Sequence, residues 1–290
     1  MRPALLVLTA VATLATGSAA SQPGPAPTQA TASAFLNITP KRITFDRNRR
    51  NGTVFVLNQG AAPVTVDIGL VDRVMLRDGR IVSVDEAGKL PEGQAVAAQL
   101  RSARELVQVS PRRVTLQPGR GQTVRLRLSS LPQAADEFRS HLTVTTIPPR
   151  DAGTTAEAAA AGGSDQLSFQ ITAVYGLSIP VIVRPAQAEA AAAIEGARVE
   201  VSERRAAILA LDLVRTGPSS VYGNFEVRTA GGRRDAEPLG VARGVGVYPE
   251  IGRRLVRIPL SRAPNPGERL EVTFTDDDTS PGKVLAKAAL

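Results

Sequence analysis

The chain contains no cysteine, a single histidine, His141, and only 3% aromatic residues. Without cysteine there are no disulfides and no thiolate ligands, and one imidazole cannot supply the His/Cys spacing that holds a metal. A Ser-His-Asp arrangement would have to rest on His141, which lies in the strand-like segment "EFRSHLTV" and reads as a structural or surface residue. No Gly-Lys-Ser/Thr follows the glycines of "GRGQT" (Gly119 to Thr123), so no phosphate-cradling loop is present. "DDD" at Asp276 to Asp278 lacks the pattern of a calcium loop and reads as a solvated turn. These absences point away from an enzyme and imply no cofactor and no metal. A site built from carboxylates alone stays open. Few aromatics also means few platforms on which unpaired bases could stack.

Long apolar runs are scarce too. Arg2 precedes one from Ala4 to about Leu14, and Ser18 and Ala20 then place small residues before a cut after Ala20. This is the pattern of a secretory signal peptide over residues 1–20, with an uncleaved anchor as the alternative. No other run approaches spanning length, so the exported protein is expected to be soluble, without membrane insertion. Export normally permits disulfides in small domains; their absence requires domains large enough to hold together by core burial. The net charge of +8 owes only Arg2 to the leader. The arginines are spread among strand-like segments rather than gathered in a block, so solvated sheet faces are expected and no nucleic-acid partner.

Residues 21–34 are Pro/Ala/Thr-rich and are expected to form a disordered leader. From Phe35 the chain reads as short runs rich in Val, Ile and Thr, separated by turn signals such as Asn51-Gly52, Asp78-Gly79 and Pro118-Gly119. Val124, Leu126 and Leu128 alternate with Arg125, Arg127 and Ser129, the mark of a half-buried strand. Only Gln94 to Leu106 looks helical. "DAGTTAEAAAAGGS", Asp151 to Ser164, reads as a flexible loop. The expected architecture is all-β, with antiparallel β-sandwiches at 35–186 and 194–290 joined by an Ala-rich linker at 187–193. Two sequons, Asn37-Ile38-Thr39 and Asn51-Gly52-Thr53, carry weight only in a eukaryotic secretory pathway.

One stretch exceeds what a sandwich needs. From Leu167 to Val183 every odd position is apolar, while the even positions are mostly small or polar. Extended, it would reach roughly 56 Å at about 3.3 Å per residue, against about 5–6 residues in an ordinary strand. One reading makes it two successive core strands broken at Gly176. The other makes Leu177 to Val183 a core strand and Leu167 to Tyr175 an overhang, offered as an edge to which a partner strand can add. Pro180 favours an edge position, because proline cannot donate to a central ladder.

The ordered features resemble the periplasmic pilus chaperones of chaperone–usher systems, the PapD-like family. "ITPKRITFDRNRRNGTVFVLNQGAAPVTVDI" is similar to that family's first two strands, including its V-x-N-x-G segment, and "LPQAADEFRSHLTVTTIPP" to its strand leading into Ile-Pro-Pro. A loop follows, then the long alternating strand ending in Val183-Arg184-Pro185. "RTGPSSVYGNFEV" and "GVGVYPE" carry the likeness in the second half.

The resemblance implies two immunoglobulin-like sandwiches set at an angle. It implies a non-enzymatic periplasmic chaperone that lends an edge strand to pilus or fimbrial subunits and delivers them to an outer-membrane usher, with a self-capping dimer as a resting form. By position, the donor residues are Leu167, Phe169, Ile171, Ala173 and Tyr175, and the anchor for a subunit's terminal carboxylate is Arg42 in "TPKRITF". The family's second anchor, a lysine, falls on Pro180. Either Arg42 acts alone, or Lys41, Arg112, Arg113 or Arg184 assists, or the client is held differently. A structural or adhesive immunoglobulin-like surface protein is the alternative; the leader's lack of an alternating apolar donor pattern weighs against it.

Overall fold

The computed structural model describes residues 36–148, 174–187, 189–201, 206–233 and 236–290. The stretches expected as signal peptide (1–20), disordered leader (21–34) and flexible loop (151–164), and the candidate donor residues Leu167, Phe169, Ile171 and Ala173, lie outside the described residues. All described residues belong to one compact unit, Ala32–Leu290.

The all-β expectation holds. The first part contains β1 (Leu36–Thr39), β2 (Ile43–Phe45), β3 (Asn51–Asn58), β4 (Val64–Val71), β5 (Arg73–Met75) and β6 (Ile81–Ser83). Two short helices follow, α1 (Val84–Ala87) and α2 (Gly93–Gln99), then β7 (Val107–Ser110), β8 (Arg113–Leu116), β9 (Gly121–Leu128), β10 (Phe138–Ile147) and β11 (Gly176–Val183). Sheet β1-β3-β9-β7 faces sheet β2-β11-β10-β4-β8 across a core that includes Phe45, Val54, Val66, Leu126 and Val181. On β9, Val124, Leu126 and Leu128 are buried and Arg125 and Arg127 exposed, as the alternation predicts.

The second part contains β12 (Ala192–Val201), β13 (Ala207–Arg215), β14 (Val221–Thr229), β15 (Gly240–Val247), β16 (Arg253–Pro259), β17 (Leu270–Asp276) and β18 (Val284–Ala289). Sheets β12-β13-β16 and β15-β14-β17-β18 enclose Leu209, Leu211, Phe225, Val256 and Phe274. β12 begins at Ala192, inside the stretch expected as linker.

The expected helix over Gln94 to Leu106 stops at Gln99. Beyond it the backbone bonds to neighbouring strands instead. The Arg101 carbonyl accepts from the Arg139 N–H at 2.7 Å, and the Leu106 carbonyl from the Ser129 N–H at 2.8 Å. A further helical turn would withdraw those groups. The β5–β6 hairpin turns at Asp78-Gly79, where Gly79 takes φ +88°, a conformation that favours glycine. Val74, Leu76 and Val82 pack with Ala87 into a small core of their own, while Met75 joins the core of the second part.

The V-x-N-x-G segment, Val56 to Gly60, has a clear physical role. Asn58 is buried, its amide nitrogen donates to the Ala62 and Leu116 carbonyls at 2.8 and 3.1 Å, and its Oδ1 accepts from the Gly60 N–H at 2.9 Å. One side chain thus closes the turn from β3 into β4 and ties it to β8. Asn58→Ala leaves those carbonyls unmet and is expected to cost about 1–3 kcal/mol in urea unfolding; an unchanged midpoint would contradict this role.

Candidate functional site

β11 has two different edges. Along Gly176–Val183 it pairs with β10, and on its other side β2 covers only Val181–Val183, in parallel register. From Gly176 to Pro180 no strand is paired on that side among the described residues. Pairing with β10 continues into Tyr175, whose carbonyl accepts from the Thr146 N–H at 2.8 Å and whose N–H donates to Thr146 Oγ1 at 2.9 Å. Val174 and Tyr175 are 57% and 43% exposed. Ile179, Val181 and Val183 enter the first core, whereas Ile182, on the opposite face, enters the second. Pro180 sits at the end of the uncovered edge and faces His141 across the ladder.

Ile43 is the first residue of β2 and pairs with Val181, so Arg42 stands where the cover by β2 stops. Its side chain is only 12% exposed. Nη2 lies 3.2 Å from Asp278 Oδ2 and 3.4 Å from Ser220 Oγ, and the guanidinium lies over the Tyr222 ring at 4.6 Å and near the Tyr248 ring at 6.0 Å. Nε and Nη1 are buried with no hydrogen-bond partner among the described residues.

Arg42 belongs to a balanced cluster of four charges. Arg184 donates from Nε to Glu137 Oε2 at 2.8 Å, and from Nη2 to Asp278 Oδ2 at 2.7 Å and Ser220 Oγ at 3.0 Å. Ser220 donates its hydroxyl to Glu137 Oε2 at 3.0 Å while accepting from both arginines, so its one proton and two lone pairs are used. Burial works to lower the Arg184 pKa, but the Glu137 and Asp278 carboxylates raise it overall. Glu137 and Arg184 come from the first part, and Ser220 and Asp278 from the second.

A second buried cluster lies on β10. Arg139 and Glu250 are each 1% exposed and form an ion pair. Arg139 also donates to the Arg73 carbonyl at 2.9 Å and to His141 Nδ1 at 3.1 Å, and lies 4.0 Å from the Tyr248 ring centroid. Glu250 accepts from the Met75 N–H at 3.0 Å, so the β5–β6 hairpin is tied in as well. Burial, with Arg139 and Arg73 adding repulsion, lowers the His141 pKa to about 3. The imidazole is therefore neutral, as it must be to accept from Arg139. Burial also raises the Tyr248 pKa.

Of the residues singled out in the sequence, Arg42 and Tyr175 are placed beside the uncovered edge. Among the proposed helpers of Arg42 only Arg184 joins it, through Asp278. Lys41 reaches Asn37 at 3.0 Å and Arg113 pairs with Asp67 at 2.5 Å, both on exposed surface, and Arg112 lines a separate depression with Arg125 and Arg127. Asp276–Asp278 is not a solvated turn. Asp276 is buried and accepts from the N–H groups of Asp278 and Ser280 at 3.1 and 2.6 Å, which presents Asp278 to the two arginines. Glu137, Ser220, Tyr222, Tyr248 and Glu250 lie within the segments that carry the family resemblance, but nothing in their local pattern marked them as site residues.

No family model and no curated protein matches the chain. Among solved structures it is similar to the E. coli chaperone DraB, at 14% identity and TM-score 0.44, over 88% of this chain and 96% of that one. It is also similar to a Salmonella enterica SafA pilin–SafB chaperone complex, at 13% identity and TM-score 0.44, over 90% and 99% of the two chains. A third is a CsuC–CsuE chaperone–tip adhesion subunit complex of Acinetobacter baumannii, at 14% identity and TM-score 0.41, over 89% and 97%.

Proposed function

We propose that this chain is a periplasmic, non-enzymatic chaperone that holds pilus or fimbrial subunits by lending them the β11 edge and passes them to an outer-membrane usher. In this reading residues 1–20 are removed on export, and 35–186 and 194–290 act as two domains. Leu167, Phe169, Ile171, Ala173 and Tyr175 form the donor row and Arg42 the anchor. The observation that carries the proposal is the half-covered β11. Its uncovered edge, Gly176–Pro180, offers backbone groups to a partner strand, and β2 blocks any extension past Pro180. An added strand must therefore end near Arg42. A strand parallel to β11 would bring its terminal carboxylate there; an antiparallel one would bring an ammonium, which Arg42 repels. Charge thus selects the parallel orientation and fixes register.

The test is co-expression with a pilin-like subunit. Ile171→Asp and Tyr175→Asp each put a charge into an apolar groove, and each should reduce recovered subunit at least tenfold while the chaperone stays folded. Arg42→Ala should reduce it as well. Full recovery with both aspartate variants would overturn the strand-donation reading.

A further inference from the structure

Arg42 is a long, rotatable side chain, and a stop for a partner strand has to be held in one place. Asp278 and Ser220 fix only Nη2. The rest of the guanidinium has rings rather than hydrogen-bond acceptors around it, Tyr222 at 4.6 Å and Tyr248 at 6.0 Å. Tyr248 is itself immobilised. It is buried in the core of the second part, and Arg139 lies 4.0 Å from its centroid. Arg139 cannot move away, because Glu250 and the Arg73 carbonyl hold it and the Met75 N–H holds Glu250.

One neutral ring is therefore shared by two guanidiniums, and its π face attracts both. An aliphatic side chain of similar size would keep much of the packing but lose that attraction, leaving only Asp278 and Ser220 at Nη2 and the Tyr222 ring to hold Arg42.

We propose that Tyr248, seated on the Arg139–Glu250 pair, is a positioning residue for Arg42, so that preference for a partner strand ending in a carboxylate depends on the Tyr248 ring. This rests on the strand-donation reading. It assigns the ordering of the single anchor to an aromatic shelf, in a protein with proline where a second cation would stand.

The probe is a synthetic nine-residue peptide of alternating valine and serine, acetylated at its N-terminus and prepared as free acid and as C-terminal amide, titrated by NMR. The readout is the ratio of the two affinities. Wild type should prefer the free acid about tenfold, and Arg42→Ala should bring the ratio to about one. Tyr248→Phe keeps the ring and should keep the preference. Tyr248→Leu should lower the ratio about threefold, Asp278 and the Tyr222 ring still holding Arg42, by weakening the free acid rather than the amide; a purely structural role would weaken both peptides equally.

If Tyr248→Leu does not fold, the double variant Arg139→Met/Glu250→Gln, which removes the buried pair together, should lower the ratio about threefold. A ratio kept by Tyr248→Leu or by the double variant, or lost in Tyr248→Phe, overturns the inference while leaving strand donation standing if Arg42→Ala abolishes the preference. A wild type that binds neither peptide, or does not distinguish them, overturns the anchor reading and this inference together.

Discussion

Glu250→Ala is expected to destabilise the protein by about 3–5 kcal/mol, because it strands a fully buried guanidinium. Arg139 is 1% exposed, and without Glu250 it keeps only the Arg73 carbonyl and a neutral His141 as acceptors. The Met75 N–H loses its acceptor in the same change. A domain is stable by only about 5–15 kcal/mol, so this substitution removes a large share. Urea unfolding followed by circular dichroism measures it. The control is Arg77→Ala, which removes an ion pair to Asp212 in which the arginine is 56% exposed and should cost less than about 1 kcal/mol. A loss below about 1 kcal/mol for Glu250→Ala would show that the pair is not sealed from water and would remove the support assigned to Tyr248.

Acidification from pH 6.5 to 4.5 is expected to cost about 2–3 kcal/mol through His141 alone. Its folded pKa is lowered from 6.5 to about 3. Above pH 6.5 the imidazole is neutral in both states and its full contribution to stability is present. As the pH falls through 6.5 the unfolded chain takes up a proton that the folded chain refuses until about pH 3, so stability falls across that interval. The lowered carboxylates act in a different window. Glu268, held down by hydrogen bonds from Arg262, Thr229 and the Asn265 N–H, and Asp67, held down by Arg113, stabilise above their unfolded values of 4.5 and 3.8 and lose that contribution below them. At pH 4.5 Glu268 has begun to lose its contribution, so the share due to the histidine is the difference between wild type and His141→Gln over that interval. His141→Gln, which cannot be protonated, should flatten the slope. A wild-type protein equally stable at both pH values would contradict a buried neutral imidazole.

Much of the fold is written in local order. Alternation on β9 named its buried and exposed residues because side chains on a strand point to opposite faces in turn. The turn at Asp78-Gly79 and the Asn58 corner depend on backbone groups only a few positions away. The excess length read in the sequence, Leu167 to Tyr175, lies outside the described residues up to Ala173, and the uncovered edge falls instead on Gly176–Pro180, in the stretch read mainly as a core strand, where Pro180 was the one local sign of an edge; Arg42 was picked out as an anchor only through a family resemblance. The same local pattern misled over Gln94 to Leu106, where helical spacing gave way to backbone bonds with β10 and the end of β9. It also misled at Asp276–Asp278, where three acids in a row look solvated until two distant arginines arrive.

By itself the sequence determined the all-β class, the faces of its strands and the long apolar stripe, because each follows from spacing along a few residues. Only the tertiary structure decided which charges meet. Arg42 finds Asp278, Arg139 finds Glu250, and Tyr248 lies beside both arginines because the two halves of the chain fold against one another. Burial makes those pairings matter: a charge in water needs no particular partner, whereas a buried one is stable only beside the carboxylate or ring that the fold brings to it.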